Sequence, residues 1–336
     1  MKEIIKTISY FSLFLYPPTF EEIYTFLPVK TSRQKLKQEL ERLIKKKIIK
    51  NLKFKIENCS RYTIGEYGIE KSKIKNQKLK IKNFIQRYQE SEKKLNNWRF
   101  RLYVKLLSFF PQIKLVGISG SLAMMNAKKE DDIDLFIITS KNRLFTGRFI
   151  ALVLAQLLNI RRSFVNQTQR LNFLTQAGSL FPFGVGKTSQ VEKNLAFSFL
   201  FKNKVCLNLF FDESALQVPK FKQTEYVAHE VLQMRPIINK DNIYEKFLKA
   251  NKWVLKIFPN AKEKYKRYLI LDIRYLKKKK NNFLISNIQY KISNNLELIL
   301  KKLQLKLINY HKTTELITDS QLWFHPDDFE KKLKLP

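Results

Sequence analysis

Long apolar runs are missing from this chain. The longest, at 149–158, is half of the roughly 20 residues a membrane helix needs, so no membrane span is predicted. The N-terminus pairs a charge with a short apolar stretch, but Lys6 interrupts it and no small-residue cleavage site follows, which speaks against a signal peptide. Cysteine is almost absent. Cys59 and Cys206 stand far apart, which excludes a disulfide framework and a cysteine-based metal site and fits a reducing compartment. Histidine is equally sparse: His229 has neither His311 nor His325 at helical spacing, so it reads as a packed or hydrogen-bonded helix residue. Glycine is scarce, with 8 in 336 residues. That scarcity bears on 183–189, FGVGKTS, which ends like a phosphate-binding P-loop: the pattern needs a glycine five residues before Gly186, and Phe181 stands there.

Acidic residues are also few, 29 against 64 Lys and Arg, and the net charge of +35 would ordinarily point to nucleic acid or another polyanion. The charge is spread along most of the chain, however. Lys greatly outnumbers Arg, and the abundance of Ile, Asn and Phe is what a coding sequence poor in G and C produces. Charge alone therefore assigns no partner, and the expectation is a soluble, cytoplasmic protein. With 44% hydrophobic and 13% aromatic residues in 336, the chain can build more than one core, and two or three domains are expected.

Four regions follow from the patterning. Residues 1–67 read as three helices and a hairpin. Ile4, Ile5, Ile8, Phe11, Leu13 and Leu15 suit a first helix stopped by Pro17 and Pro18. Thr19 caps a second helix with Glu21 and Glu22 in its first turn. Thr31 and Gln34 have capping-box spacing before a third, with Leu36, Leu40, Leu43 and Ile44 as its stripe. Strands at 48–56 and 61–64 would flank a turn at Glu57-Asn58-Cys59-Ser60. Residues 68–110 read as a long connecting helix whose second half is amphipathic through Phe84, Tyr88, Leu95, Trp98, Leu102, Leu106 and Leu107. Residues 111–216 alternate strand and helix, and 217–336 read as a helical C-terminal region with a small apolar anchor at Trp323 and Phe324 and a fraying tail.

The informative stretch is IKLVGISGSLAMMNAKKEDDIDLFIIT, 113–139. Two β-branched runs, 113–118 and 133–138, imply two strands. Asp132 and Asp134, two apart, point the same way while Ile133 and Leu135 point into a core. Paired carboxylates at a strand edge attract a hard divalent cation, and Ser119-Gly120-Ser121 forms a turn whose backbone and hydroxyls can receive phosphate oxygens. A hydrophobic strand, Gly120-Ser121, then Asp132-Ile133-Asp134-Leu135 resembles the signature of the DNA polymerase beta-like nucleotidyltransferase superfamily, over about a third of the chain. The resemblance implies an α/β (α+β) mixed sheet flanked by helices and transfer of a nucleoside monophosphate from an NTP to a hydroxyl acceptor. Asp132 and Asp134 would bind Mg2+ or Mn2+, and Gly120 and Ser121 would hold the terminal phosphates.

Arg143, Arg148, Arg161, Arg162 and Arg170 are candidate triphosphate ligands, because Arg grips phosphate bidentately. Arg143 is preferred because it lies just past the strand bearing the carboxylates. Active relatives place a third acidic residue, the general base, on a later strand. The strand expected at 204–211 would set Val205, Leu207 and Leu209 on one face and Cys206 and Asn208 on the other, and Asn cannot take a proton as a base near neutral pH. Asn208 and Asp212 are the candidates for that third position.

The N-terminal unit resembles a winged helix-turn-helix domain, which implies contact between the third helix and DNA. That helix carries Arg33, Lys35, Lys37, Arg42, Lys45 and Lys46, and the hairpin adds Lys50, Lys53, Lys55 and Arg61. Two alternatives to an enzyme remain open: a DNA-binding regulator that senses nucleotide without turning it over, and a protein-docking module. The sequence leaves the oligomeric state open.

Overall fold

The computed structural model describes residues 1–54, 59–65, 75–162, 204–262, 294–311 and 315–324. The loop at 183–189, Arg170, the basic run 277–280, the helix expected at 265–276, His325 and the end of the tail lie outside them.

The N-terminal unit consists of α1 (Lys2–Leu13), α2 (Phe20–Thr25), α3 (Arg33–Lys45) and the antiparallel pair β1 (Ile49–Phe54) and β2 (Cys59–Ile64). Ile8, Ile23, Leu36, Leu43 and Ile49 close its core. Thr19 and Glu22 form the full capping box on α2, worth about 1 kcal/mol. On α3 the cap is Ser32, whose hydroxyl accepts from Lys35 N at 3.1 Å. Thr31, the expected cap, instead donates its N–H to Asn260 Oδ1 at 3.0 Å. Phe54 pairs with Cys59, so Cys59 and Ser60, expected in the turn, belong to β2.

The connecting helix is two helices, α4 (Lys75–Leu95) and α5 (Trp98–Phe109). The break is chemical: Asn97 Oδ1 accepts from Arg99 N and Phe100 N, capping a new helix where apolar periodicity alone would continue the old one.

A six-stranded mixed sheet follows, with β3 (Ile113–Ile118), β4 (Ile133–Thr139), β5 (Val205–Asp212), β6 (Arg235–Asn239), β7 (Leu316–Ile317) and β8 (Gln321–Trp323) in the order β6-β3-β4-β5-β8-β7. Only β4 and β5 pair in parallel, which requires a long crossover; it includes α7 (Leu144–Leu157). The region from 217 onward, expected to be helical, therefore contributes three of the six strands. The reason it misled is length: β7 and β8 span two and three residues and β6 carries Pro236, too little for a period-2 pattern. Among the described residues its helices are α8 (Glu225–Gln233), α9 (Ile243–Ala250), α10 (Val254–Ile257) and α11 (Asn294–His311). A four-residue turn of helix, α6 (Gly120–Ala123), separates β3 from β4.

Both faces of the sheet are covered. Ile133, Leu135 and Ile137 face a core shared with α5, α7 and α11, while Phe136 and Ile138 face one shared with α8, α9 and the N-terminal aromatics Tyr10, Phe11, Tyr16 and Phe26. The N-terminal unit is thus cemented to the rest. His229 of α8 stacks between Tyr10 and Phe26, with ring centroids 4.1 and 4.2 Å away, and is 2% exposed, as its reading as a packed residue required. Asn126 Nδ2 donates to Phe14 O at 2.9 Å and Asn260 Nδ2 to Val29 O at 2.7 Å.

Candidate functional site

Pairing of Ile118 with Leu135 brings the end of β3 against the start of β4, so the Ser119-Gly120-Ser121 turn and the carboxylates meet at one end of the central strands. Ser119 N donates to Asp134 O at 3.0 Å. Gly120 sits at φ +61°, and a Cβ there would stand 2.7 Å from Asp134 Oδ2. Any side chain at 120 would collide with the carboxylate, which is the physical reason for glycine. Ser121 Oγ donates to Asp131 Oδ2 at 3.1 Å, and Lys128 N donates to the same oxygen at 2.8 Å. From beneath, the buried Lys94 ammonium donates to Lys129 O and Asp131 O at 3.0 and 2.7 Å, fixing the loop that delivers Asp132.

A short relay ties both carboxylates to β5. Arg162 Nε meets Asp132 Oδ2 at 3.1 Å, and its Nη1 reaches Cys206 Sγ at 3.2 Å. The Cys206 thiol, pushed by burial up to about 11, donates to Asn208 Oδ1 at 2.7 Å. Asn208 Nδ2 then donates to Asp134 Oδ1 at 3.1 Å. The pairs Asp134 with Cys206 and Phe136 with Leu209 set one extra residue into β5. This bulge corrects the expected facing of the strand: Val205 and Leu207 pack with the α7 core, while Leu209 crosses to the opposite face.

Two candidates fall elsewhere. Thr139 pairs with Asp212 at the far end of β4 and β5, about 16 Å along the strand from Asp134. There Asp212 Oδ1 caps the turn after β5 by accepting from Ser214 N at 2.8 Å. Arg143 opens α7 at that same far end, its Nη1 donating to Asn142 O at 2.8 Å. Proximity in sequence to a carboxylate-bearing strand misleads because the strand's length separates its ends. Arg148 is buried, donating to Gln304 Oε1 at 2.7 Å beneath the Phe324 ring. Of the five arginines proposed as phosphate ligands, Arg162 lines the cavity described next.

Asp132, Asp134, Ser119, Gly120 and Ser121 open onto a cavity of about 660 Å3 between the sheet, α8 and α1. The same cavity receives a carboxylate that strand patterning could not supply, Glu230 of α8. Gly120 N donates to Glu230 Oε2 at 3.4 Å, placing the carboxylate over the turn and beside Asp134. Burial first, then the charges of Glu230 and Asp132, push the Asp134 carboxyl up to about 7. Burial also raises Glu230 and Asp132, the latter opposed by Arg162. The available signal was helical: Tyr226, Glu230 and Val231 share a face of α8, a carboxylate on an otherwise apolar stripe.

Among the described residues no group of three or more His, Cys, Asp or Glu is arranged to hold a metal ion by itself. The donors present are a carboxylate pair with a third acid opposite, a set that fits a cation completed by water and phosphate oxygens, as Mg2+ favours. Among the same residues no helix is long and apolar enough to cross a membrane. No family model, curated protein or solved structure matches the chain.

Proposed function

We propose that the chain is a metal-dependent nucleotidyltransferase that moves a nucleoside monophosphate from an NTP to a hydroxyl acceptor. One observation carries this reading: the Gly120-Ser121 turn, the Asp132 and Asp134 carboxylates and the helix-borne Glu230 converge on a single cavity. The mixed sheet, with turn and carboxylates at one end of its central strands, supports the nucleotidyltransferase-like architecture. Gly120 lets the backbone approach the terminal phosphates, and Arg162 and Lys222 at the cavity wall supply positive charge to them. Asp132 and Asp134 would hold Mg2+ or Mn2+, which supplies neutralisation of the triphosphate and of the departing pyrophosphate. The acceptor oxygen attacks the α-phosphorus, the bond from it to the bridging oxygen of the β-phosphate breaks, and pyrophosphate leaves. Glu230 takes the acceptor proton. Burial raises its carboxyl above the ordinary glutamate value, the direction that favours taking a proton.

The regulator reading was motivated by Cys206 and Asn208 where a third carboxylate was expected and by the basic third helix. Glu230 answers the first point. On the second, Arg33 pairs with Glu21 at 2.8 Å and Arg42 with Glu39 at 3.0 Å, and Arg61 is 3% exposed, donating to Pro17 O beneath Tyr16 and Phe84. Aromatic residues of this unit, Tyr10, Phe11, Phe14 and Tyr16, line the cavity.

The test is release of pyrophosphate from labelled NTP with Mg2+ and a low-molecular-weight cell extract as acceptor source. Asp132→Asn and Glu230→Gln are expected to reduce transfer by at least about a hundredfold, the scale of a lost acid–base group. Undiminished transfer in both variants overturns the assignment.

A further inference from the structure

The cavity has two chemically different halves. The turn, the carboxylates and Arg162 line its polar part; Tyr10, Phe14, Met124, Leu209, Phe211 and Val231 are apolar, and Leu209 and Phe211 pair with Phe136 and Ile138, two and four residues up β4 from Asp134. Glu230 stands on the boundary. Its hydrogen-bond donor Gly120 belongs to the polar part, whereas Val227, one helical turn earlier on α8, and the adjacent Val231 are apolar lining of the same cavity. Two walls of the apolar half come from far apart in the chain. Phe14 closes α1, and Phe14 O is clamped by Asn126 Nδ2 at 2.9 Å and Arg87 Nη1 at 3.2 Å, so the N-terminal unit is a fixed wall.

Resting on the nucleotidyltransferase reading, we infer that the acceptor is a small apolar alcohol, with an aromatic or alicyclic body seated against Phe14, Met124 and Leu209 and its hydroxyl at Glu230. The sheet, α1 and α8 all contribute lining, and a volume of about 660 Å3 lies in the range of small-molecule sites, roughly 300–1,000 Å3. Polyhydroxylated acceptors are disfavoured because each hydroxyl placed against this wall without a partner costs roughly 1–3 kcal/mol. An apolar body gains roughly 25 cal/mol for each Å2 it removes from water. The N-terminal unit thereby acquires a role: it supplies the specificity wall.

The probe is 2-naphthol, titrated by its fluorescence into the full chain without nucleotide, alongside a separate titration of a fluorescent NTP analogue with Mg2+. Naphthol is expected to bind, and Phe14→Ser and Met124→Gln are each expected to weaken it at least tenfold, with Phe14→Leu restoring most of the affinity. The same substitutions are expected to change NTP affinity less than twofold. Absence of naphthol binding overturns the inference. So does a parallel loss of NTP affinity, because the apolar half would then hold the nucleotide base. Failure of NTP to bind while naphthol binds overturns the nucleotidyltransferase reading and leaves the apolar-ligand site standing. Transfer to glycerol or glucose in preference to naphthol also overturns the inference.

Discussion

At Gly120 backbone and chemistry are coupled within a few ångströms. The φ of +61° costs a side-chain-bearing residue roughly 1–2 kcal/mol, and a methyl group would press on Asp134 Oδ2 at 2.7 Å. Gly120→Ala is therefore expected to lower the melting temperature by a few degrees and to abolish Mg2+-dependent NTP binding, both measurable by thermal shift with and without nucleotide. Asp134 acts in the opposite sense on stability. Its carboxyl has an ordinary value of 3.8 and is pushed up to about 7 in the fold by burial and by Glu230 and Asp132. Between those values the folded state keeps a proton that the unfolded state has lost. The stabilisation is fully present below pH 3.8 and is lost as pH rises through about 7, at roughly 1.4 kcal/mol per unit of difference. With neither metal nor nucleotide, Asp134→Asn is expected to raise the melting temperature at pH 8 and to flatten its decline between pH 4 and 7. A variant no more stable than the parent at pH 8 would contradict the crowding of carboxylates at this end of the strands.

At the scale of elements, the hairpin shows why residue type does not reveal partner. Arg61 lies on β2 among lysines and reads as a phosphate contact. It is instead buried, donating to Pro17 O at 2.8 Å and lying 3.6 Å from Glu22, with the Tyr16 and Phe84 rings at 5.0 and 4.7 Å. Breaking a buried ion pair costs roughly 3–5 kcal/mol, whereas a surface substitution stays within roughly 0.5 kcal/mol. Urea denaturation should separate the two: Arg61→Ala is expected to be severely destabilising and Lys37→Ala and Lys45→Ala nearly neutral. The same contrast sorts what was legible. The strands β3 and β4 and the motif between them could be read because six or seven consecutive residues form apolar, β-branched runs and two acids share a parity. The apolar stripe of α3 was legible for the same reason. Glu230 was not, because its partner Gly120 is 110 residues away and only the fold joins them. Nor were β7 and β8, whose two and three residues are strand because β5 offers β8 an edge and β8 in turn offers one to β7.

At the scale of the molecule, one histidine sits at the centre of the seam between the N-terminal unit and the rest. His229 lies in a box of rings: Tyr10 and Phe26 from the N-terminal unit stack on its faces, and Phe11 and Phe258 meet it edge-on at 5.6 and 4.8 Å. A core that spans residues 10–323 predicts one co-operative unfolding transition, even though the N-terminal unit also has an apolar core of its own. His229→Ala removes the plug between the two bodies. Aromatic-sized truncations in cores cost roughly 3–5 kcal/mol, and here the cost falls on the seam. The expected outcome is that calorimetry of the variant resolves two transitions where the parent shows one, with limited proteolysis cutting near the start of α4. His229→Phe, which refills the box, is expected to restore a single transition. If His229→Ala still melts in one step with an unshifted midpoint, the N-terminal unit is not docked through this ring stack, and the apolar wall it lends to the cavity loses its support.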